Sequence, residues 1–137
     1  MSHPESNLHR LDGPDPVHQA VTLARAFCET RGLCPDSTAR LAILVEELVI
    51  NLFDHGGLGA GDIVAIGLVR EGGAVRMLLI DPGQPFDPRS ATKGAAIPER
   101  GGGAGLAFVH AWTEIVDYRT ADGTNRLELL IPDVKEA

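Results

Sequence analysis

Between Leu41 and His55 the chain is almost wholly apolar except for one stripe, and that stripe restricts the fold more than any other feature. An α-helix turns about 100° per residue, so Glu47, Asn51 and His55 lie within about 80° of one another over roughly 12 Å of rise. Asp54 falls on the same arc, while Leu41, Leu44, Val45, Leu48, Val49, Ile50, Leu52 and Phe53 fill nearly all the remaining circumference. Such a helix must be covered on most sides. A mid-helix asparagine is a poor helix former because its amide competes for backbone groups, and a solvated stripe ordinarily carries Lys, Arg, Glu or Gln. Pattern alone leaves a solvated face and a ligand-facing wall equally open.

Two further fragments follow. Val75 to Ile80 is an apolar run of buried-strand length that ends on Asp81, with Pro82 and Gly83 directly after it. Asp-Pro-Gly is common turn chemistry. An aspartate at the end of a sheet can also accept from an exocyclic amine such as adenine's, and a glycine there lets backbone approach a ligand. From Arg89 to Gly102 the chain has no apolar period and reads as a mobile loop. It leads through Gly101-Gly-Gly-Ala104-Gly105 into Leu106–Trp112, a short helix from about Ala104 whose first turn lacks bulk. A bare helix start offers unpaired N–H groups and a positive dipole end to phosphate oxygens. The glycines match neither a Rossmann fingerprint nor a P-loop.

The remaining chain reads as alternating elements. A polar segment, residues 1–13, has an edge strand near Asn7 to Leu11. One helix runs from Pro14-Asp15-Pro16 to about Thr30 and ends at Gly32, and a second, capped within Pro35-Asp36-Ser37, ends at Gly56-Gly57. Strands follow near Ile63–Arg70 and Val75–Ile80 around Glu71-Gly72-Gly73, then Glu114–Arg119 and Asn125–Ile131 around Asp122-Gly123. Helices segregated from mostly antiparallel strands predict an α+β two-layer sandwich. Arg40 and Glu46 read as solvated helix surface, and His110 as helix surface or a loop neighbour. The expected domain is 14–132, with 133–137 as a tail.

In order and spacing the three fragments resemble the N, G1 and G2 boxes of the Bergerat-fold (GHKL) ATPases: Glu47-x-x-x-Asn51-x-x-x-His55, Asp81-x-Gly83-x-x-Phe86-Asp87-Pro88 and Gly103-x-Gly105-Leu106. Within that superfamily the chain is most similar to the anti-sigma-factor serine kinases of bacterial partner-switching systems, with Phe86-Asp87-Pro88 separating it from the gyrase, heat-shock chaperone and mismatch-repair members. The resemblance implies the Bergerat fold and a magnesium-ATP site. It makes Glu47 the general base and Asn51 the magnesium ligand, with His55 lining the phosphate side. Asp81 would accept from the adenine amine, with Gly83 leaving room for the ring, and Phe86 would be among the nucleotide-binding residues. Gly103, Ala104, Gly105 and Leu106 would meet the phosphates, and Arg100 would reach the γ-phosphate from the lid. Phosphoryl transfer suits such a set, since it depends on positioning and charge neutralisation.

The implied partners are a small antagonist (anti-anti-sigma) protein, which would be phosphorylated on serine or threonine, and a sigma factor, held inactive in the antagonist's absence. Relatives of this kind often form homodimers. An alternative is an ATP-gated binding module with little turnover. Composition permits either. The formal charge of −7, from 19 acids against 12 bases with no basic cluster, argues against nucleic acid. A nucleotide can still bind, because magnesium and local N–H groups set the field inside a pocket. No stretch reaches the roughly 20 apolar residues of a membrane span and no signal segment opens the chain, so a cytoplasmic location is expected. With 44% apolar and 4% aromatic residues the core should be mostly aliphatic, and Cys28 and Cys34 are expected as reduced thiols with no zinc role.

Overall fold

Both long helices begin on a proline, whose fixed φ and missing N–H suit the first helical position. In the computed structural model, which describes residues 3–59, 61–85 and 102–134 and only the backbone of His55 and of residues 102–106, α1 spans Pro16–Arg31 and α2 spans Pro35–His55. Asp15 caps α1, its Oδ1 accepting from the His18 N–H at 3.0 Å. Gly32 ends that helix at φ 70°, donating to the Cys28 and Glu29 carbonyls. The cap of α2 is Cys34, one residue ahead of the expected segment, with Sγ accepting from the Ser37 N–H at 3.4 Å. With Pro35 at the first helical position, the capping residue is the one before it. Ser37 Oγ instead accepts from the Val134 N–H at 2.8 Å, tying the end of the chain to the start of α2.

The strands are β1 (His9–Leu11), β2 (Val64–Glu71), β3 (Ala74–Asp81), β4 (Glu114–Ala121) and β5 (Thr124–Pro132), and α3 (Gly102–Trp112) precedes β4. They form one sheet in the order β1-β2-β3-β5-β4, every neighbour antiparallel. This is the expected α+β architecture of the Bergerat type. Strand pairing continues to the two-residue turns, so β4 and β5 run past their expected ends. At the second turn Asp122 and Gly123 have φ 54° and 78°, the left-handed pair that a tight hairpin needs. Helix α3 begins two residues before Ala104, the glycines being accepted in its first turn.

Alternation along the strands sorts the sheet into two faces. Toward the helices lie Ile66, Leu79 and Leu127 in one cross-strand row and Leu68, Met77 and Leu129 in the next. Ala20, Ala24 and Cys28 of α1, Leu41, Leu44, Val45, Leu48 and Val49 of α2, and Val109 of α3 close over them to form the core. Burial pushes the Cys28 thiol pKa up, only partly offset by a hydrogen bond with Thr38. Helix α3 is joined to α2 by Arg40, whose guanidinium lies 4.9 Å above the Trp112 ring. Arg40 is therefore not solvated helix surface, because a flat cation gains more over an aromatic face.

On the opposite face, residues Pro4–Asn7 form a 3-10 turn where part of a strand was expected, so β1 starts only at His9. Pro4 sets the first position of that turn and His3 Nδ1 caps it, accepting from the Glu5 N–H at 3.1 Å. The turn lies over Gly67, where a Cβ would stand 2.1 Å from the Pro4 carbonyl oxygen. Arg126 reaches Glu5 at 2.9 Å from β5. Among the described residues, no helix is long and apolar enough to cross a membrane.

Candidate functional site

At one end of the sheet the helix-facing side changes from apolar to polar. The parity that buries Met77 and Leu79 also turns Asp81 inward, and its cross-strand partner is Asn125, which in turn pairs with Thr120. Asp81 is 6% exposed and Asn125 2%. Asp81 Oδ1 accepts from the Gly83 N–H at 2.8 Å and from Asn125 Nδ2 at 3.0 Å. The turn reading of Asp-Pro-Gly was therefore sound for one carboxylate oxygen, which closes a side-chain turn onto Gly83. Asn125 Nδ2 also donates to the Gly83 carbonyl at 2.9 Å, and Asn125 Oδ1 accepts from Thr120 Oγ1 at 3.1 Å.

The end of α2 is pressed onto this turn. Gly56 closes the helix by donating to Leu52, and its own carbonyl accepts from the Gln84 N–H at 2.9 Å. A Cβ on Gly83 would meet that carbonyl oxygen at 2.6 Å. Here glycine is required by the close approach of two backbones. Between Gly56–Leu58 and Pro82–Pro85 lies a cavity of about 440 Å³, which Thr120, Gly123 and Asn125 also line. Glu47 and Asn51 do not border it.

Those two residues lie further back along α2, about 7.5 Å of helix rise before Gly56 for Asn51 and about 13.5 Å for Glu47. Both are half-buried, whereas Asp54 is exposed. Asn51 Oδ1 is enclosed and has no hydrogen-bond partner among the described residues. Buried amide oxygens are seldom left so, and one that is points to an ion, a water or a ligand. The Glu47 carboxyl pKa is raised, first by burial and then by the neighbouring Glu46 charge. A carboxylate kept basic in this way is suited to taking a proton. Among the described residues no three His, Cys, Asp or Glu side chains converge on one point. A magnesium ion at Asn51 would rely on phosphate and water oxygens for its other ligands, which is its habit.

The backbone of His55 closes α2, and Gly103, Ala104, Gly105 and Leu106 form the first turns of α3. Phe86 and Arg100, with the rest of the lid, lie outside the described residues. His110 is half-buried with Nε2 enclosed and without a partner among the described residues, so it is not plain helix surface. Asn125 and Thr120 escaped the sequence reading. The available signal was an asparagine in step with Leu127, Leu129 and Ile131 on the apolar face of an alternating strand, a place from which that residue is depleted.

The chain matches the histidine kinase-like ATPase domain family over residues 12–131. It belongs to that family, a GHKL-type ATPase domain. No individual curated protein matches the chain.

Proposed function

We propose that the protein is an ATP-dependent serine/threonine protein kinase of the anti-sigma-factor type, which phosphorylates a small antagonist protein and sequesters a sigma factor when that antagonist is absent. Membership of the ATPase family supports nucleotide binding. The observation that carries the kinase reading is on α2: an enclosed Asn51 amide oxygen, without a partner among the described residues, one helical turn from a carboxyl, Glu47, whose pKa is raised. A protein that only bound nucleotide would need a ligand for the ion and no base.

On this reading the unit is 14–132, and the nucleotide lies along α2 with its base toward Asp81 and Gly83 and its phosphates toward Asn51 and the start of α3. Asn51 Oδ1 would hold magnesium, which supplies charge neutralisation on the phosphates. Glu47 takes the proton of the attacking hydroxyl, and the N–H groups of Gly103 to Leu106 face the phosphate oxygens. His55, Phe86 and Arg100 complete the contacts. Little covalent chemistry is asked of the protein.

The test is Glu47→Ala assayed for ATP affinity and for phosphate transfer to the protein captured with ATP from the native cell. Affinity is expected to stay near the wild-type value while transfer falls about a hundredfold or more. Unchanged transfer would remove Glu47 from the role of base, and ATP binding without transfer even in the wild type would sink the kinase assignment and favour an ATP-gated binding module.

A further inference from the structure

Asn125 is the most enclosed polar side chain next to the proposed base site, and its whole hydrogen-bonding capacity is directed. A carboxylate and a carbonyl are both acceptors, so the amide must turn its NH2 toward Asp81 Oδ1 and the Gly83 carbonyl. That leaves its oxygen toward Thr120, which donates to it. Two consequences follow for Asp81. Its Oδ1 is occupied by two donors, one from β5 and one from the Gly83 backbone, which fixes the carboxylate plane; on the reading that Asp81 receives the base, Oδ2 is then the oxygen that would accept from it. Asn125 meanwhile has no N–H left to give.

We propose, resting on the reading that Asp81 receives a purine base, that Asn125 is a positioning residue that sets base selectivity. It holds Asp81 with an acceptor forward and withholds its own donors, so that this end of the site accepts from a 6-amino group and gives nothing to a 6-oxo group. Adenine carries the amine. Hypoxanthine carries an oxygen at the same place, whose lone pairs would face the carboxylate. Selectivity of this kind is strong because a mismatched base leaves a buried polar group unpaired. Without Asn125 the carboxylate would swing, and its preference for the amine would be lost together with the Gly83 contact.

The experiment is calorimetric titration of the full chain with magnesium ATP and magnesium ITP, for the wild type, Asn125→Ala and Asn125→Thr, with thermal melts alongside. The wild type should prefer ATP by about tenfold or more. In Asn125→Ala the ratio should fall to within about threefold of unity, through weaker ATP binding and unchanged ITP binding. If that variant does not fold, Asn125→Thr decides, because a single hydroxyl hydrogen cannot serve both Asp81 and Gly83, and the ratio should drop at least about threefold. A wild-type ratio retained in the variant, or equal weakening of both nucleotides, overturns the proposal while leaving the nucleotide site standing. Failure of the wild type to bind either nucleotide overturns the site itself.

Discussion

Glu47 illustrates how little separates a solvated helix residue from a reactive one. Its sequence position offers a carboxylate on a polar stripe, but partial burial and the Glu46 charge raise its pKa. For a base, the active form is the ionised one, so phosphate transfer should rise with pH through an inflection above the ordinary glutamate range, and Glu46→Gln should move that inflection down. A pH–kcat profile measures both, and an identical profile in the Glu46 variant counts against the coupling. The same shift has a stability sign. A raised carboxyl pKa favours the protonated fold, and that contribution is lost as pH rises through the raised value, so Glu47→Gln should raise the Tm at neutral pH and leave it unchanged in acid. Asn51 makes a sharper demand. Asn51→Ala should weaken ATP binding about tenfold or more with magnesium present and leave it unaltered in chelator. An equal loss in chelator would make the side chain structural.

Among elements, the contact that matters most is between the end of α2 and the exit of β3. It places the helix bearing Glu47 and Asn51 in fixed register with the strand bearing Asp81. The Gly56 carbonyl, the Gln84 N–H and the bare Cα of Gly83 form that joint. Gly83→Ala would drive a methyl group into the Gly56 carbonyl at 2.6 Å and against Leu58 at 3.1 Å. Backbone must then move, and a loss of about 1–3 kcal/mol in urea unfolding is expected together with weakened ATP binding. Wild-type stability and affinity in that variant would show the two elements to be independent. Helices and strands themselves were legible beforehand. Proline starts, the Gly32 stop and the Gly72 and Asp122-Gly123 turns act over a few residues, and their chemistry can be read along the chain. The exceptions were the Cys34 cap, where sulfur stands in for the usual oxygen, and the 3-10 turn at Pro4, whose period is too short to register.

At the scale of the whole molecule, the end of the chain is held by Arg70 on β2, which grips Asp133 through two hydrogen bonds of 2.6 and 2.7 Å. The guanidinium holds the Asp133 carboxyl below its ordinary pKa. A depressed carboxyl stabilises the fold above its unfolded pKa, and the contribution disappears as pH falls through the lowered value. Asp133→Asn should cost about 1 kcal/mol in urea unfolding at neutral pH, less in high salt, and nothing in strong acid. A deficit that persisted in acid would assign the loss to packing instead.

Sequence by itself determined the order of elements, the antiparallel α+β class, and the three fragments whose spacing marks the family, because periodicity, capping and turn formation depend on near neighbours. Only the tertiary structure decided what meets Asp81, that Asn51 is left with an enclosed oxygen, that Arg40 covers Trp112, and that the Pro4 turn lies on Gly67. Asn125 and Asp81 are separated by 44 positions along the chain. Contacts of that kind arise from strand register and helix packing, which are collective results of burying one shared apolar core, and no local pattern of residues encodes them.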